Sequence, residues 1–178
     1  MSTKTQEVEL LKKLTVAMTE NPRATTGALA KAAGISRATL NRFCGSRENL
    51  MQMITEQAQT ALNAIIQIAR STEEPAEIAL HKLISAHLEN QEYLVFVCGT
   101  HNTLEDEIWN GYLEAVDTFI GNGQSSGTFR TDIPAQALAE LFVSMICGVI
   151  DAGRRDRFGM VNAVETVASF FLNGAGSK

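Results

Sequence analysis

The 178-residue chain has little proline, little cysteine and no long unbroken apolar run, and each shortage removes a class of protein. Three prolines beside an apolar fraction of 45% exclude a disordered chain and leave enough apolar material for a sizeable core. Cys44, Cys98 and Cys147 are too few and too scattered for a disulfide framework, which points to a reducing compartment, the cytoplasm. No apolar run reaches the length expected of a bilayer span, and the opening MSTKTQEVEL has no signal-peptide core, so no membrane role is expected.

The vocabulary of catalysis is missing too. There is no nucleophile elbow, phosphate-binding Gly loop, His-Glu-x-x-His or paired-carboxylate pattern, and Glu105-Asp106-Glu107 reads as the acidic first turn of a helix. No enzyme and no cofactor are therefore expected. Cys98-Gly-Thr-His101, with His81, His87 and Glu105, contains metal-ligating residue types at a spacing that matches no zinc pattern; these read as core fillers or pocket walls.

What is present is unevenly charged. The net charge is −5, yet residues 1–50 carry eight Lys or Arg against four Glu, whereas residues 51–178 carry seven against sixteen acids. A basic head on an acidic body can approach a polyanion from one end only. Two parts are expected, a basic unit over residues 1–50 and a larger helical body over residues 51–178.

The stretch TTGALAKAAGISRATLNRFCGSRENL, residues 25–50, carries the functional signal. Thr25 and Thr26 offer capping hydroxyls, and Leu29, Ala30 and Ala33 follow at helical spacing. Gly34 supplies the residue that ends a helix in the left-handed region at little cost, and Ile35 returns to the core. Ser36 then caps a second helix whose Leu40, Phe43 and Cys44 lie on one side and Ala38, Asn41 and Arg42 on the other, with Arg37 and Thr39 at the margins. The small Ala30 and Ala33 suit two helices crossing steeply over a tight turn, so the stretch reads as a helix-turn-helix. Guanidinium, amide and hydroxyl groups on the outer face suit base edges and phosphates in a major groove.

The run from Ala33 to Leu50 resembles the TetR-type transcriptional regulators, whose pattern is Ala-Gly-hydrophobic-Ser-x-x-Thr-Leu-Tyr-x-x-Phe-x-Ser-Lys-Glu-x-Leu. It departs from that pattern in Asn41 for a phosphate-contacting Tyr, Cys44 for a buried Phe, and Arg47 for the Lys that holds phosphate at the start of the fourth helix. The resemblance implies an all-α fold with an N-terminal three-helix head, and a homodimer on double-stranded operator DNA. It further implies a repressor whose body takes a small ligand, moves the fourth helix and spoils the spacing of the two heads. The expected DNA-contacting set is Thr25, Thr26, Ser36, Arg37, Ala38, Thr39, Asn41, Arg42 and Arg47, with Arg47 and the two threonines on phosphate and Arg37, Ala38, Thr39, Asn41 and Arg42 forming the reading face.

A first helix is expected over residues 5–20, and Ser46 is expected to cap a long one reaching Arg70. Further helices are expected over Ala76–Glu89, after Thr103 with Asp106 as a capping box, from Asp132-Ile133-Pro134 to about Gly153, and from Val161 to about Asn173. GNGQSSG, residues 121–127, reads as the clearest loop. Tyr93, Phe96, Trp109, Tyr112 and Phe119 with Met145 supply either ordinary core or the walls of a cavity for a small apolar or aromatic ligand. The surplus apolar surface of the last two helices, with the Ser144, Gly148, Ala152 strip and Val164 and Phe171, predicts a four-helix dimer interface. The alternative is a TetR-like protein controlled by a protein partner, or acting architecturally, with no cavity in its body.

Overall fold

The expected helical periodicity is realised along almost the whole chain in the computed structural model, which describes residues 3–99 and 106–177. The helices are α1 (Thr3–Glu20), α2 (Thr26–Ala32), α3 (Arg37–Cys44), α4 (Arg47–Arg70), α5 (Ala76–Glu89), α6 (Gln91–Gly99), α7 (Asp106–Ser125), α8 (Ala135–Arg154) and α9 (Ala163–Ala175). Extended pairing is confined, among the described residues, to one antiparallel bridge between Phe129 and Gly176. The fold is all-α, as the helical spacing requires. The proposed capping box at Thr103, with His101 and Glu105, lies outside the described residues.

Two compact units divide the described residues, one drawn from 1–61 and 90–105 and the other from 62–89 and 106–178. In the first, α1 packs against both α2 and α6. Leu11, Leu14, Ala17 and Met18 form its buried stripe. Thr15 is buried with them because its hydroxyl donates to the Leu11 carbonyl at 2.8 Å, leaving no unsatisfied donor. The short apolar piece around Tyr93 is a full helix, α6, burying Tyr93, Leu94, Phe96 and Val97.

The second unit holds α5, α7, α8 and α9, with α5 meeting the other three and α7 lying along α8. Its core is a chain of edge-to-face rings: Phe119 to Phe129 at 5.6 Å, Phe129 to Phe171 at 5.8 Å, Phe171 to Phe142 at 5.4 Å, and Phe142 to His87 at 5.9 Å. Such tilted contacts match the positive edge of one ring to the negative face of the next. The bridge at Gly176 closes this core at the C-terminus, where the Arg130 amide donates to Ala175 at 2.7 Å and the Ser177 amide to Thr128 at 3.0 Å. The Arg130 guanidinium grips Asp132 with two bonds of 2.6 and 2.7 Å and reaches the Gly174 carbonyl at 3.0 Å.

Two expectations need correction here. GNGQSSG is not a loop up to its end: α7 continues through Ser125, and the turn begins only at Ser126 and Gly127. Gly123 is present for space rather than mobility, since a Cβ there would sit 2.2 Å from the Phe129 ring. The second concerns apolar runs. Over 18 residues α8 has a mean hydropathy of 1.5, so by length and composition it passes as a membrane-crossing helix. Its Leu138, Ala139, Phe142, Ile146 and Ile150 enter the core, whereas Leu141 is 58% exposed and Ser144, Cys147 and Gly148 are exposed. The helix is apolar on two sides, and the described residues cover one.

Candidate nucleic-acid interface

The head owes its shape to caps set by the local sequence. Thr25 has extended backbone before α2, and its hydroxyl accepts from the Ala28 amide at 3.3 Å. Gly34 then reverses the chain at φ +73°, which lets the Ile35 amide reach back to the Ala30 carbonyl at 2.9 Å. Ser36 accepts from the Thr39 amide at 3.0 Å and opens α3. Gly45, also at φ +73°, ends it, and Ser46 accepts from the Asn49 amide at 3.1 Å to open α4. The Glu48 carboxyl in that first turn is held below its ordinary range by its own backbone amide and the Ser46 hydroxyl. Ala30 and Ala33 are buried, and α2 packs on α3.

On α3 the two faces separate cleanly. Leu40 and Cys44 are buried, the thiol donating to the Leu40 carbonyl at 3.4 Å and pushed up in pKa by burial. Arg37, Ala38, Asn41 and Arg42 are exposed on the opposite side. Thr39 is half-buried, and its hydroxyl pairs with that of Ser36 at 2.9 Å, so these two side chains serve the cap first. Thr25 is exposed and Thr26 half-buried. The outer face presents two guanidinium groups and an amide in three turns of helix or fewer, a set able to donate to guanine, adenine or phosphate.

Arg47 stands apart from this face. Its Nη1 donates to the Ala24 carbonyl at 2.8 Å and its Nη2 to the Pro22 carbonyl at 2.6 Å. The expected phosphate ligand is turned onto the α1–α2 loop, where two carbonyls two residues apart suit a forked donor.

The aromatic set is dispersed. Tyr93 and Phe96 are buried in the first unit, where the Tyr93 hydroxyl has no hydrogen-bonding partner among the described residues. Burial, with the nearby Glu92 and Glu9 carboxylates, pushes that hydroxyl up to about 12. Trp109, Tyr112 and Met145 belong to the second unit; the Trp109 and Tyr112 rings lie 5.6 Å apart, while Met145 is half-buried on α8. His87, read from the sequence as a core filler or pocket wall, makes a polar pair with Tyr112 that the sequence did not show. His87 is 3% exposed; its Nδ1 donates to the Leu83 carbonyl at 2.7 Å, which leaves Nε2 to accept from the Tyr112 hydroxyl at 2.9 Å. Burial lowers His87 to about 4, so it is neutral. Its i−4 carbonyl partner and its place on the apolar stripe of α5 were the available signals.

Of the expected dimer residues, Ser144 and Gly148 are exposed, Ala152 and Val164 half-buried, and Phe171 buried among Phe129 and Phe142. Phe171 is therefore core, and the exposed aromatic of α9 is Phe170, 73% exposed. Among the described residues no three His, Cys, Asp or Glu side chains gather as a metal site.

No family model matches the chain. It is 44% identical over 173 residues to the HTH-type transcriptional regulator NfxB of Pseudomonas aeruginosa, an alignment covering 93% of this chain and 92% of that one. The structure of the TetR-like regulator LfrR from Mycobacterium smegmatis superposes with a TM-score of 0.70 at 17% identity, covering 96% of each chain. The same regulator in complex with proflavine gives 0.61 at 19% identity, covering 94% of this chain and 95% of that one. A likeness of 44% along nearly the whole of both sequences, on a fold shared with TetR-type structures, settles the kinship: the chain belongs to the TetR family of transcriptional regulators.

Proposed function

We propose that this regulator acts as a homodimeric repressor that reads an inverted-repeat operator through α3 and lets go when a small apolar or aromatic ligand binds its second unit. The carrying observation is the exposed face of α3, on which Arg37, Asn41 and Arg42 stand together while Leu40 and Cys44 anchor the helix behind them. Ala38 and Thr39 complete that face, and Thr25 and Thr26 flank it. A DNA target implies a cytoplasmic protein, and nothing in this reading calls for catalysis. Residues 1–50 supply the DNA contacts and residues 51–178 the effector and dimer contacts.

The dimer reading rests on α8 and α9, where Leu141, Ser144, Gly148 and Phe170 leave an apolar, small-residue surface uncovered by the described residues. A second copy laid on it buries that surface in a four-helix arrangement. The ligand reading rests on the Trp109 and Tyr112 rings, 5.6 Å apart, and the buried His87–Tyr112 pair, with the half-buried Met145 in the same unit. The complex of LfrR with proflavine, a flat aromatic molecule, is the supporting likeness.

Selection of bound sites from random double-stranded DNA tests the reading. Recovered sites should be inverted repeats with half-sites about 34–36 Å apart or a multiple of it. Sites without two-fold symmetry, or no enrichment, would sink it. For the ligand, a thermal-shift screen of flat apolar compounds should find one that stabilises the protein by about 2.7 kcal/mol at about 100 times its Kd.

A further inference from the structure

We propose that Arg47 is a positioning residue for operator recognition: it locks the loop between α1 and α2 to the first turn of α4, so the reading head follows α4 as one body. The inference rests on the DNA-binding reading of the head, and it replaces a phosphate contact with an internal clamp. Arg47 is the first residue of α4, where the partial positive end of the helix disfavours a cation. What compensates is a pair of charge-assisted bonds to carbonyls 23 and 25 residues upstream, at Ala24 and Pro22. Both carbonyls lie in the short connection that ends α1 at Glu20 and starts α2 at Thr26.

That connection has modest support of its own, the Ala24 amide donating to the Asn21 carbonyl at 2.9 Å and the Arg23 amide to Asn21 Oδ1 at 3.3 Å. The guanidinium is its tie to α4. A planar fork engages two carbonyls with two separate nitrogens, whereas lysine brings one nitrogen on a flexible stem. The chain therefore gains something from Arg at a position where the family pattern has Lys. Because α4 runs on from Arg47 to Arg70, with Leu62–Arg70 counted in the second unit, a turn of α4 is passed through the clamp to the residue before the Thr25 cap.

The test compares the native dimer with Arg47→Lys and Arg47→Ala on a selected operator and on random DNA across a salt series, with amide hydrogen exchange over residues 21–28. A clamp predicts that both variants lose operator affinity by at least about tenfold, the worth of one charge-assisted hydrogen bond. The slope of log affinity against log salt should stay as in the native protein, and exchange in the loop should quicken even in Arg47→Lys. A phosphate ligand predicts the reverse: Arg47→Lys keeps affinity and loop protection, and Arg47→Ala flattens the slope by about one per head. That pattern overturns the proposal. If Arg47→Ala does not fold, Arg47→Lys decides alone through affinity and exchange. A native protein that selects no operator sinks the DNA reading, and this proposal with it; a native protein that selects one while Arg47→Lys behaves as native sinks only the clamp.

Discussion

The head and the second unit use opposite solutions for their informative side chains. In the head, Arg37, Asn41 and Arg42 face solvent on an eight-residue helix whose start and end are set by Ser36 and Gly45. In the second unit the telling residues are inside, as a run of rings from Phe119 to Trp109 with one neutral histidine among them. The difference teaches that recognition here is displayed by short-range backbone geometry, whereas the ligand proposed for the second unit would have to reach a packed interior. Mutations should therefore separate the two, the head losing specificity without stability and the second unit losing stability first.

The largest effect is expected at Phe142, wholly buried between His87 and Phe171. Phe142→Ala should cost about 3–5 kcal/mol in chemical denaturation. A loss under about 1 kcal/mol would mean that the ring run is not the core of this unit.

Acid should come next. His87 is held near 4 rather than 6.5 by burial, so the unfolded chain takes up a proton that the native chain refuses. Its contribution is full above about pH 6.5 and fades as the pH falls toward about 4, a loss of about 3 kcal/mol at most. Denaturation series from about pH 7.5 to about pH 4 should show this dependence and show less of it in His87→Gln, which keeps an acceptor for Tyr112 but does not titrate. Equal slopes in the two proteins would remove His87 from the account.

Gly123→Ala distinguishes a packed helix from a mobile loop. With Phe129 at 2.2 Å from the added Cβ, the substitution should destabilise by about 1–3 kcal/mol. A neutral or stabilised variant would return this segment to the loop expected from its sequence.

Arg42→Ala is expected to leave the melting temperature unchanged. It should cost about 1–3 kcal/mol in operator binding and relax preference at one symmetric pair of base positions, measured by repeating the site selection. A uniform loss on every sequence would make Arg42 a phosphate contact. A fall in melting temperature would break the contrast between display and packing.

Legibility follows the same division. Thr25, Gly34, Ser36 and Ser46 were readable because each acts within about five residues of itself, through a cap or a turn that residue type alone favours. The helix over Gln91–Gly99 was legible only as an apolar piece, since nothing local says that α1 will cover it. Phe171 was read as interface and is core, while Phe170, one residue away and about 100° around the helix, is exposed. A periodic stripe shows that a helix face will be covered but not by what. GNGQSSG misled because glycine is used in loops for freedom and in helices for room, and composition does not distinguish the two.

By itself the sequence determined most of the helices, the turn between α2 and α3, the outward placing of Asn41 and Arg42 with Arg37 at the margin, and the concentration of positive charge in the first fifty residues. All are properties of neighbours along the chain or of composition. Tertiary structure alone decided that Arg47 reaches Pro22 and Ala24, that His87 meets Tyr112, and that Gly123 makes room for Phe129. These contacts join separate elements, and which donor finds which acceptor depends on the angle at which whole helices meet, a quantity set by packing rather than by any one segment.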